Sequence, residues 1–218
     1  MTLRRRITLA VAATVVAAAV QLFWFSSVFD VRTVTVIGER YTTVSQIRQA
    51  AGIEIGMPVA RVNIERATAA IEAIRQVRSA EVRRGLPHSI VITVHERTAI
   101  AVSTAGDDKW WLVDAEGVTF QQVPKAPAGL TIVQAYTEYM RGIGARMSAG
   151  MPAWLRARVA QVVVYAPEDI RLEMRNGKVV RWGSEERPAR KAEVLKVLLT
   201  VPARFYDVSA PDAPATKR

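Results

Sequence analysis

The sequence predicts an α+β protein that one N-terminal helix attaches to a membrane. Three features predict it: an uninterrupted apolar stretch near the N-terminus, then two amphipathic helices between alternating strand patterns, then a longer region rich in strands and turn dipeptides. Half of the 218 residues are hydrophobic, which is enough for a packed core, and none is cysteine. Disulfides, cysteine-ligated metals and cysteine nucleophiles are therefore excluded.

The apolar stretch is residues 7–29, which carry no ionisable side chain. As a helix rising 1.5 Å per residue, this stretch would extend about 35 Å, enough to cross a hydrocarbon core of about 30 Å. Three arginines, residues 4–6, precede it, so the positive-inside rule places residues 1–6 in the cytoplasm and the bulk of the chain outside. The sequence thus predicts a single-pass type II membrane protein that contacts the lipid bilayer through this anchor.

A cleaved signal peptide is the alternative interpretation of the same residues. The basic start, the apolar run and the small residues Ala17, Ala18 and Ala19 satisfy the cleavage pattern. Cleavage after Ala19 would leave a mature chain that begins with the exposed apolar run VQLFWFSSVF. The membrane anchor is therefore favoured.

The region beyond the predicted anchor is basic. Twenty-seven of the thirty Lys and Arg residues and all twenty Asp and Glu residues lie beyond residue 29, a difference of +7. Outside a bacterial membrane, the available polyanions are lipid headgroups and wall polymers. No nucleic-acid partner is expected, since that reading needs a basic stripe with interleaved aromatic residues on the cytoplasmic side.

The first domain follows the anchor without a linker. Residues 30–38, DVRTVTVIG, alternate as a strand does. Thr43 and Gln46 form the capping box of a first helix that Gly52 ends, and Asn63 caps a second helix. Two further strands, VRSAEVRR and SIVITVHER, are joined by the turn sequence GLPH. The predicted order is β-α-α-β-β.

The second domain is predicted to be mainly antiparallel, with two helices. An acidic turn at 114–117 joins two short strands, and the Asn-Gly pair at 176–177 is a tight-hairpin signal. One helix begins at Pro152 and another covers residues 189–199. Residues 211–218, PDAPATKR, are predicted to be a disordered tail.

The order and spacing of these elements after a single anchor resemble the FtsQ/DivIB family of bacterial cell-division proteins. The motifs that carry the resemblance are IGERYTT, GIEIGMPVARVN and VRSAEVRRGLPHSIVITVHER, then the VDAEG turn, the RNGKVVRWG hairpin and YDVSAP. By this resemblance, residues 30–98 form a POTRA-like domain and residues 99–210 form the β domain of the family.

The resemblance implies a non-enzymatic scaffold of the divisome that is required for septum assembly. Such a scaffold links early, mainly cytoplasmic division proteins to late extracytoplasmic ones. The implied partners are the FtsB and FtsL division proteins, together with other divisome membrane proteins. The implied location is the cell membrane at the division septum, and no cofactor or small-molecule substrate is expected.

A membrane-anchored extracytoplasmic cell-wall enzyme is the alternative function. Sortases and L,D-transpeptidases need a cysteine that the chain lacks, and the S-x-x-K motif of penicillin-binding enzymes is missing. His88 falls in a turn and His95 on a strand, without the spacing of a zinc motif or the companions of a triad. No catalytic or metal-binding residue is therefore predicted.

Two further clusters are interpreted as ordinary structure. The glycines in RGIGARMSAG, residues 141–150, lack the strand-turn-helix context of a phosphate site and are read as a flexible loop. The acidic residues lack the twelve-residue spacing of a calcium loop and are read as turn residues: Asp107, Asp108, Asp114 and Glu116.

The segment ARFYDVS, residues 203–209, is the predicted partner-binding site. Its alternation indicates a short strand, and a strand near a chain terminus is expected to be a sheet edge open to β-augmentation. In the family that it resembles, the tyrosine of the YD pair lies where FtsB docks. The resemblance extends that role to Phe205, Tyr206, Asp207, Val208 and Ser209. The alternative is that Tyr206 packs beneath the last strand as a core residue.

Overall fold

The computed structural model describes residues 10–16, 29–104 and 109–217. Residues 10–16 form helix α1, while most of the predicted membrane helix at 7–29 and all of the predicted tail at 1–6 lie outside the described residues. Within the described part of the chain, no helix has both the length and the apolar character needed to cross a membrane.

The chain consists of two compact units, and the first comprises Met1–Glu96. Its elements after α1 are β1 (Thr33–Ile37), α2 (Val44–Ala51), α3 (Ile64–Glu72), β2 (Val77–Gly85) and β3 (Ser89–Glu96), with a 3-10 turn at Val59–Arg61. The sheet order is β1-β3-β2, in which β3 is parallel to β1 and antiparallel to β2. The predicted β-α-α-β-β order is present.

Both helices of this unit begin at the predicted caps. The Gln46 N–H donates to Thr43 Oγ1 over 3.2 Å, and the Thr43 N–H donates to Gln46 Oε1 over 2.9 Å, which completes the capping box. Gly52 ends α2 in the left-handed conformation with φ 62°, and Asn63 Oδ1 accepts the Arg66 N–H over 2.9 Å at the start of α3. Local sequence therefore accounts for both helices.

The core of the first unit lies between the sheet and the two helices. It is aliphatic, because alternate residues of the strands and one stripe of each helix point inwards. Its main members are Val34, Ile47, Ala67, Ile71, Ile90, Ile92 and Val94.

The second unit, Arg97–Arg218, is built on one nine-stranded sheet. Its strands are β4 (Ala101–Thr104), β5 (Trp110–Val113), β6 (Thr119–Val123), β7 (Thr131–Ala135), β8 (Val159–Ala166), β9 (Asp169–Met174), β10 (Val179–Gly183), β11 (Phe205–Asp207) and β12 (Ala215–Lys217). Its helices are α4 (Glu138–Gly150), α5 (Ala153–Arg156) and α6 (Pro188–Leu198). The strand order is β12-β11-β10-β9-β8-β7-β4-β5-β6.

Five of the eight neighbouring strand pairs in this sheet are antiparallel, in line with the prediction, but the sheet is mixed because the other three pairs are parallel. The pairs β4–β7, β7–β8 and β10–β11 are parallel, and the other neighbouring strands are antiparallel. Parallel neighbours need a long crossover. Helices α4 and α5 provide the crossover between β7 and β8, and α6 provides the one between β10 and β11. The described part of this unit therefore contains three helices where the sequence predicted two.

Helix α4 was not predicted, because RGIGARMSAG was expected to be a flexible loop. Gly142 and Gly144 are buried on this helix. A Cβ on Gly144 would lie 2.6 Å from Val133 Cγ1 and 2.9 Å from Val164 Cγ2. Glycine weakens a helix locally, but here it lets the helix axis approach the sheet closely.

The C-terminal tail also differs from its prediction. Residues 211–218 were expected to be disordered, but Ala215–Lys217 forms β12 and pairs antiparallel with β11, with Thr216 opposite Tyr206. The edge of the sheet is thus β12, and β11 is an interior strand. Main-chain pairing with β11 orders this polar segment, and composition alone does not reveal such pairing.

Candidate partner-binding edge of the sheet

The five residues predicted to bind a partner lie on β11 and directly after it. On one side β11 pairs in parallel with β10, where Val180 lies opposite Tyr206. On the other side β12 covers the edge that was expected to be open. The predicted residues are therefore one strand away from the free edge.

The Tyr206 side chain is a core group. It is 0% exposed, and its hydroxyl lies 2.9 Å from the Val201 carbonyl oxygen and 3.1 Å from the Ala203 carbonyl oxygen, close enough to donate to either. The same hydroxyl accepts a hydrogen bond from Lys178 Nζ over 2.8 Å. All these contacts are within the unit, so the ring and the hydroxyl hold β11 in place.

The other four predicted residues divide by exposure. Val208 is buried, and its N–H donates to the Arg181 carbonyl oxygen over 3.0 Å. Phe205, Asp207 and Ser209 are partly exposed. Asp207 Oδ1 accepts from the Ser209 N–H over 2.9 Å and from its hydroxyl over 2.6 Å. These three residues are the predicted side chains that solvent can reach.

Strand β12 contains exposed residues at the sheet edge that were not predicted from the sequence to bind a partner. Ala215, Thr216 and Lys217 are all exposed. Among the described strands, β12 has a neighbour on one side only, so its outer main-chain edge faces away from the sheet. The one signal in the sequence is weak, since a single threonine favours a strand in an otherwise polar segment.

Ion pairs surround the carboxyl end of β11. Arg181 Nη1 lies 3.5 Å from Asp207 Oδ2, and Arg181 Nε lies 4.0 Å from Asp169 Oδ1. Asp169 also binds Arg171 over 3.0 Å, and this hydrogen bond raises the pKa of the Arg171 guanidinium. These pairs satisfy the arginines at this end of the sheet and leave little free charge there.

The loop after β11 carries a further pair. Arg187 Nη1 donates to Asp212 Oδ2 over 2.7 Å, and this hydrogen bond lowers the pKa of the exposed Asp212 carboxyl. Both side chains are in solvent, so the pair contributes little to stability.

The acidic turn at 114–117 is held by the protein itself. Asp114 Oδ1 accepts the N–H groups of Glu116 over 3.0 Å and of Val118 over 2.8 Å, and Arg97 binds both Asp114 and Glu116. Asp107 and Asp108 lie outside the described residues. No group of three or more potential metal-ligating side chains occurs in the described part of the chain.

The two histidines are also structural or exposed to solvent. His88 Nδ1 lies 3.2 Å from the Asp30 carbonyl oxygen, and His95 is exposed on β3. His88 Nδ1 also lies 3.6 Å from Asp30 Oδ1.

Fold and sequence together define a two-domain protein with a POTRA domain followed by a division-protein C-terminal domain. Residues 29–97 match the family described as "POTRA domain, FtsQ-type", and residues 101–208 match "Cell division protein FtsQ/DivIB, C-terminal". The chain belongs to the FtsQ/DivIB family of cell-division proteins. The second matched family is named for cell division.

Curated relatives agree with this assignment. The chain is 33% identical over 194 residues to "Cell division protein FtsQ" of Mycobacterium leprae, covering 86% of this chain and 56% of that protein. It is 35% identical over 209 residues to the FtsQ of Streptomyces bingchenggensis, covering 89% of this chain and 78% of that protein. The chain thus spans little more than half the length of the mycobacterial relative.

A solved structure is also similar in part. The major extracytoplasmic domain of DivIB from Geobacillus stearothermophilus matches with a TM-score of 0.36 and 15% identity, covering 45% of this chain and 87% of that one.

Proposed function

We propose that the protein is a non-enzymatic scaffold of the divisome that is required for septum assembly. Residues 7–29 anchor it as a single-pass type II protein in the cell membrane, and it is concentrated at the division septum. It links early, mainly cytoplasmic division proteins to late extracytoplasmic ones. Its partners are FtsB and FtsL, and FtsB docks as an added strand at the C-terminal edge of the nine-stranded sheet.

The observation that carries this proposal is the exposed edge strand β12. Its three residues are exposed, and no described strand pairs with its outer side. An incoming strand would form main-chain hydrogen bonds there, and nearby side chains would provide specificity. The strand is short and polar, which limits aggregation at an open edge.

The residues of the predicted site have two roles in this proposal. Phe205, Asp207 and Ser209 are partly exposed and can contact a partner beside β12. Tyr206 and Val208 are buried and position β11, on which β12 is built. Tyr206 is thus a positioning residue, because its side chain does not reach solvent.

The docking proposal is tested by measuring the affinity of an extracytoplasmic FtsB fragment for the full chain in detergent. Thr216→Pro removes one main-chain donor from β12 and is expected to weaken binding about tenfold or more. Thr216→Ala is the matched control because it keeps the main chain, and its affinity is expected to stay within about twofold. Wild-type affinity in the proline variant would refute docking at this edge.

The anchor proposal is tested separately by N-terminal sequencing of the mature protein from membranes. The anchored protein keeps the residues before Ala19. A mature chain that begins at Val20 would instead identify a cleaved signal peptide.

A further inference from the structure

One end of the C-terminal sheet carries a line of basic residues. Lys217 ends β12, Arg204 precedes β11, Lys178 precedes β10, Arg175 follows β9 and Arg158 precedes β8. The parallel pairing of β10 with β11, and the antiparallel pairing of β11–β12, β9–β10 and β8–β9, bring these strand ends to the same end of the sheet. We call these five residues the basic row.

The basic row follows the strand order, with one cation at each of five neighbouring strands. Since neighbouring strands are about 4.8 Å apart, the row extends about 19 Å. The segments that lead into or join these five strands at this end, residues 151–158, 175–178 and 199–204, contain no acidic residue. On β9 the preceding charged residue is Glu173, whose carboxylate accepts a hydrogen bond from Gln161 over 2.6 Å.

The charges of the basic row are not balanced within the described part of the chain. None of its five members forms an ion pair with a described residue. Other arginines of the same unit are paired, such as Arg146 with Glu185 over 3.2 Å and Arg187 with Asp212 over 2.7 Å. Several arginines elsewhere in this unit are thus paired with carboxylates of described residues, whereas those of the basic row are not.

The contacts that the row does make are with neutral groups. Arg175 Nε donates to the Ala157 carbonyl oxygen over 3.2 Å, and the Arg158 guanidinium lies 5.6 Å from the centre of the Trp154 ring. These contacts orient the side chains and leave their charge available. The guanidinium groups of Arg158, Arg175 and Arg204 are on exposed residues.

A line of unbalanced cations fits a linear polyanion better than a single phosphate. A length of about 19 Å corresponds to about six residues of an extended polypeptide. Guanidinium groups bind carboxylates through paired hydrogen bonds, and like charges in a row repel one another until an anion neutralises them. Aspartate and glutamate side chains on an extended segment meet both requirements.

The position of the row favours a polypeptide over a lipid surface. The row begins at Lys217, the last residue of the edge strand β12. A partner strand that pairs with β12 and continues past Lys217 therefore reaches the basic row directly. Lipid headgroups, in contrast, would not use the free main-chain groups of this edge for binding. This step rests on the proposed docking of a strand at β12.

We propose that the basic row binds an acidic, extended segment of a partner polypeptide, next to the part of that partner that pairs with β12. The row supplies charge recognition, and the edge strand supplies main-chain recognition. Two adjacent contacts of different chemistry would make the interface more specific than strand addition alone.

The test uses the full chain in non-ionic detergent and two fluorescent octapeptides, one of alternating Glu and Thr and one of alternating Gln and Thr. Wild type is expected to bind the acidic peptide about tenfold more tightly, and added salt should remove the difference. The triple variant Arg158→Gln, Arg175→Gln and Arg204→Gln should lose about tenfold in affinity for the acidic peptide.

The matched control is the triple variant Arg146→Gln, Arg187→Gln and Arg190→Gln, which lowers the net charge equally but changes arginines that are ion-paired in the structure. Its affinity for the acidic peptide should stay within about twofold of wild type. An equal loss of affinity in both triple variants would refute the proposed role of the basic row, because net charge alone would then explain binding. Equal binding of the two peptides by wild type would also refute it.

Two further measurements complete the design. Arg204→Gln with Lys217→Gln changes two exposed side chains and should weaken acidic-peptide binding even if the triple variant folds poorly. Row-dependent binding of phosphatidylglycerol vesicles in place of the peptide would overturn the proposal in favour of a lipid partner. Thr216→Pro should not change octapeptide binding, so a failure of edge docking is distinguished from a failure of the row.

Discussion

The two units differ in how much of each is specified by local sequence signals, although both contain parallel pairs between distant strands, such as β1–β3 in the N-terminal unit. In the N-terminal unit, α2 and α3 have their own cap residues, and β2 and β3 form a hairpin around one short turn. In the C-terminal unit, β4 pairs with β7 and β10 with β11, across intervening segments that local sequence does not pair. The comparison shows that local signals suffice for hairpins and capped helices but not for crossovers.

Each unit contains a glycine at a point where two backbone segments lie in close contact. Gly38 has φ 97°, and a Cβ there would overlap the Val94 carbonyl oxygen. Gly117 has φ 92°, and a Cβ there would overlap the Glu138 carbonyl oxygen at the start of α4. In both units a backbone contact, and not only a turn, requires glycine.

The largest expected effects are those of Gly38→Ala and Gly117→Ala. Each combines an unfavourable positive φ with overlap against main chain, so each should lower the free energy of unfolding of its own unit by about 3 kcal/mol. Hydrogen exchange of β3 amides reports on the first unit, and exchange of β8 amides reports on the second.

The controls for this pair are Gly52→Ala and Gly129→Ala, which also have positive φ but open space around the new Cβ. Each should lower the free energy of unfolding by about 1 kcal/mol, which is the cost of placing alanine at a positive φ without any overlap. If either overlapping variant weakened protection in both units equally, the units would not be independent and the comparison would fail.

Gly144→Ala tests whether α4 needs glycine for its approach to the sheet. Its Cβ would meet Val133 and Val164, so we expect a loss of about 2 kcal/mol. Gly150→Ala on the same helix meets no atom within 4 Å and should be neutral or stabilise by up to about 1 kcal/mol. Urea unfolding followed by tryptophan fluorescence measures this, since all described tryptophans lie in the C-terminal unit. Equal losses in the two variants would show that α4 does not approach the sheet closely.

Tyr206→Phe separates the structural role of Tyr206 from a binding role. Its buried hydroxyl contacts two carbonyl oxygens and Lys178, so its removal should cost about 1.5 kcal/mol of stability in the C-terminal unit. Tyr136→Phe is the control because Tyr136 is 85% exposed. The stability of this variant should equal that of wild type. Reduced FtsB binding without any loss of stability in Tyr206→Phe would contradict the positioning role.

The smallest expected effect is that of Glu96→Gln in the N-terminal unit. Glu96 accepts the N–H groups of Tyr41 over 2.6 Å and of Thr42 over 2.8 Å, and it also accepts the Thr42 hydroxyl. The loss of this charged acceptor should cost about 1 kcal/mol near neutral pH.

The pH dependence gives Glu96→Gln a specific signature. Burial alone would raise the pKa of Glu96, but the hydrogen bonds from Thr42, Tyr41 and Arg40 outweigh it and hold the pKa below the ordinary value of 4.5. Its stabilisation is therefore complete above pH 4.5 and is lost as the pH falls through the lowered pKa. Thermal melts between neutral and acidic pH should show the difference from wild type shrinking in acid. Exposed Glu81→Gln is the control, and a constant difference for Glu96→Gln would contradict this account.

Prediction from sequence succeeded where a short segment contains its own signal. The capping box at Thr43, the cap at Asn63 and the Asn-Gly hairpin at 176–177 all occur as predicted. The candidate site was located only in part. The segment after residue 203 is indeed a strand beside the sheet edge, but the edge itself is β12, whose sequence resembles a disordered tail.

The sequence by itself determined the α+β class, the order of the N-terminal elements and the exclusion of cysteine chemistry. These depend on periodicity, caps and residue type, which act over a few neighbouring residues. The tertiary structure alone decided that the glycine-rich segment is helix α4, that Tyr206 is buried, and that Lys191 is too. Lys191 is 1% exposed, its burial lowers its pKa, and its Nζ donates to the Ser184 carbonyl oxygen over 2.9 Å. Each of these outcomes depends on a neighbour that is distant in sequence or lies across a turn, and the free energy of such a contact exists only once the sheet has formed.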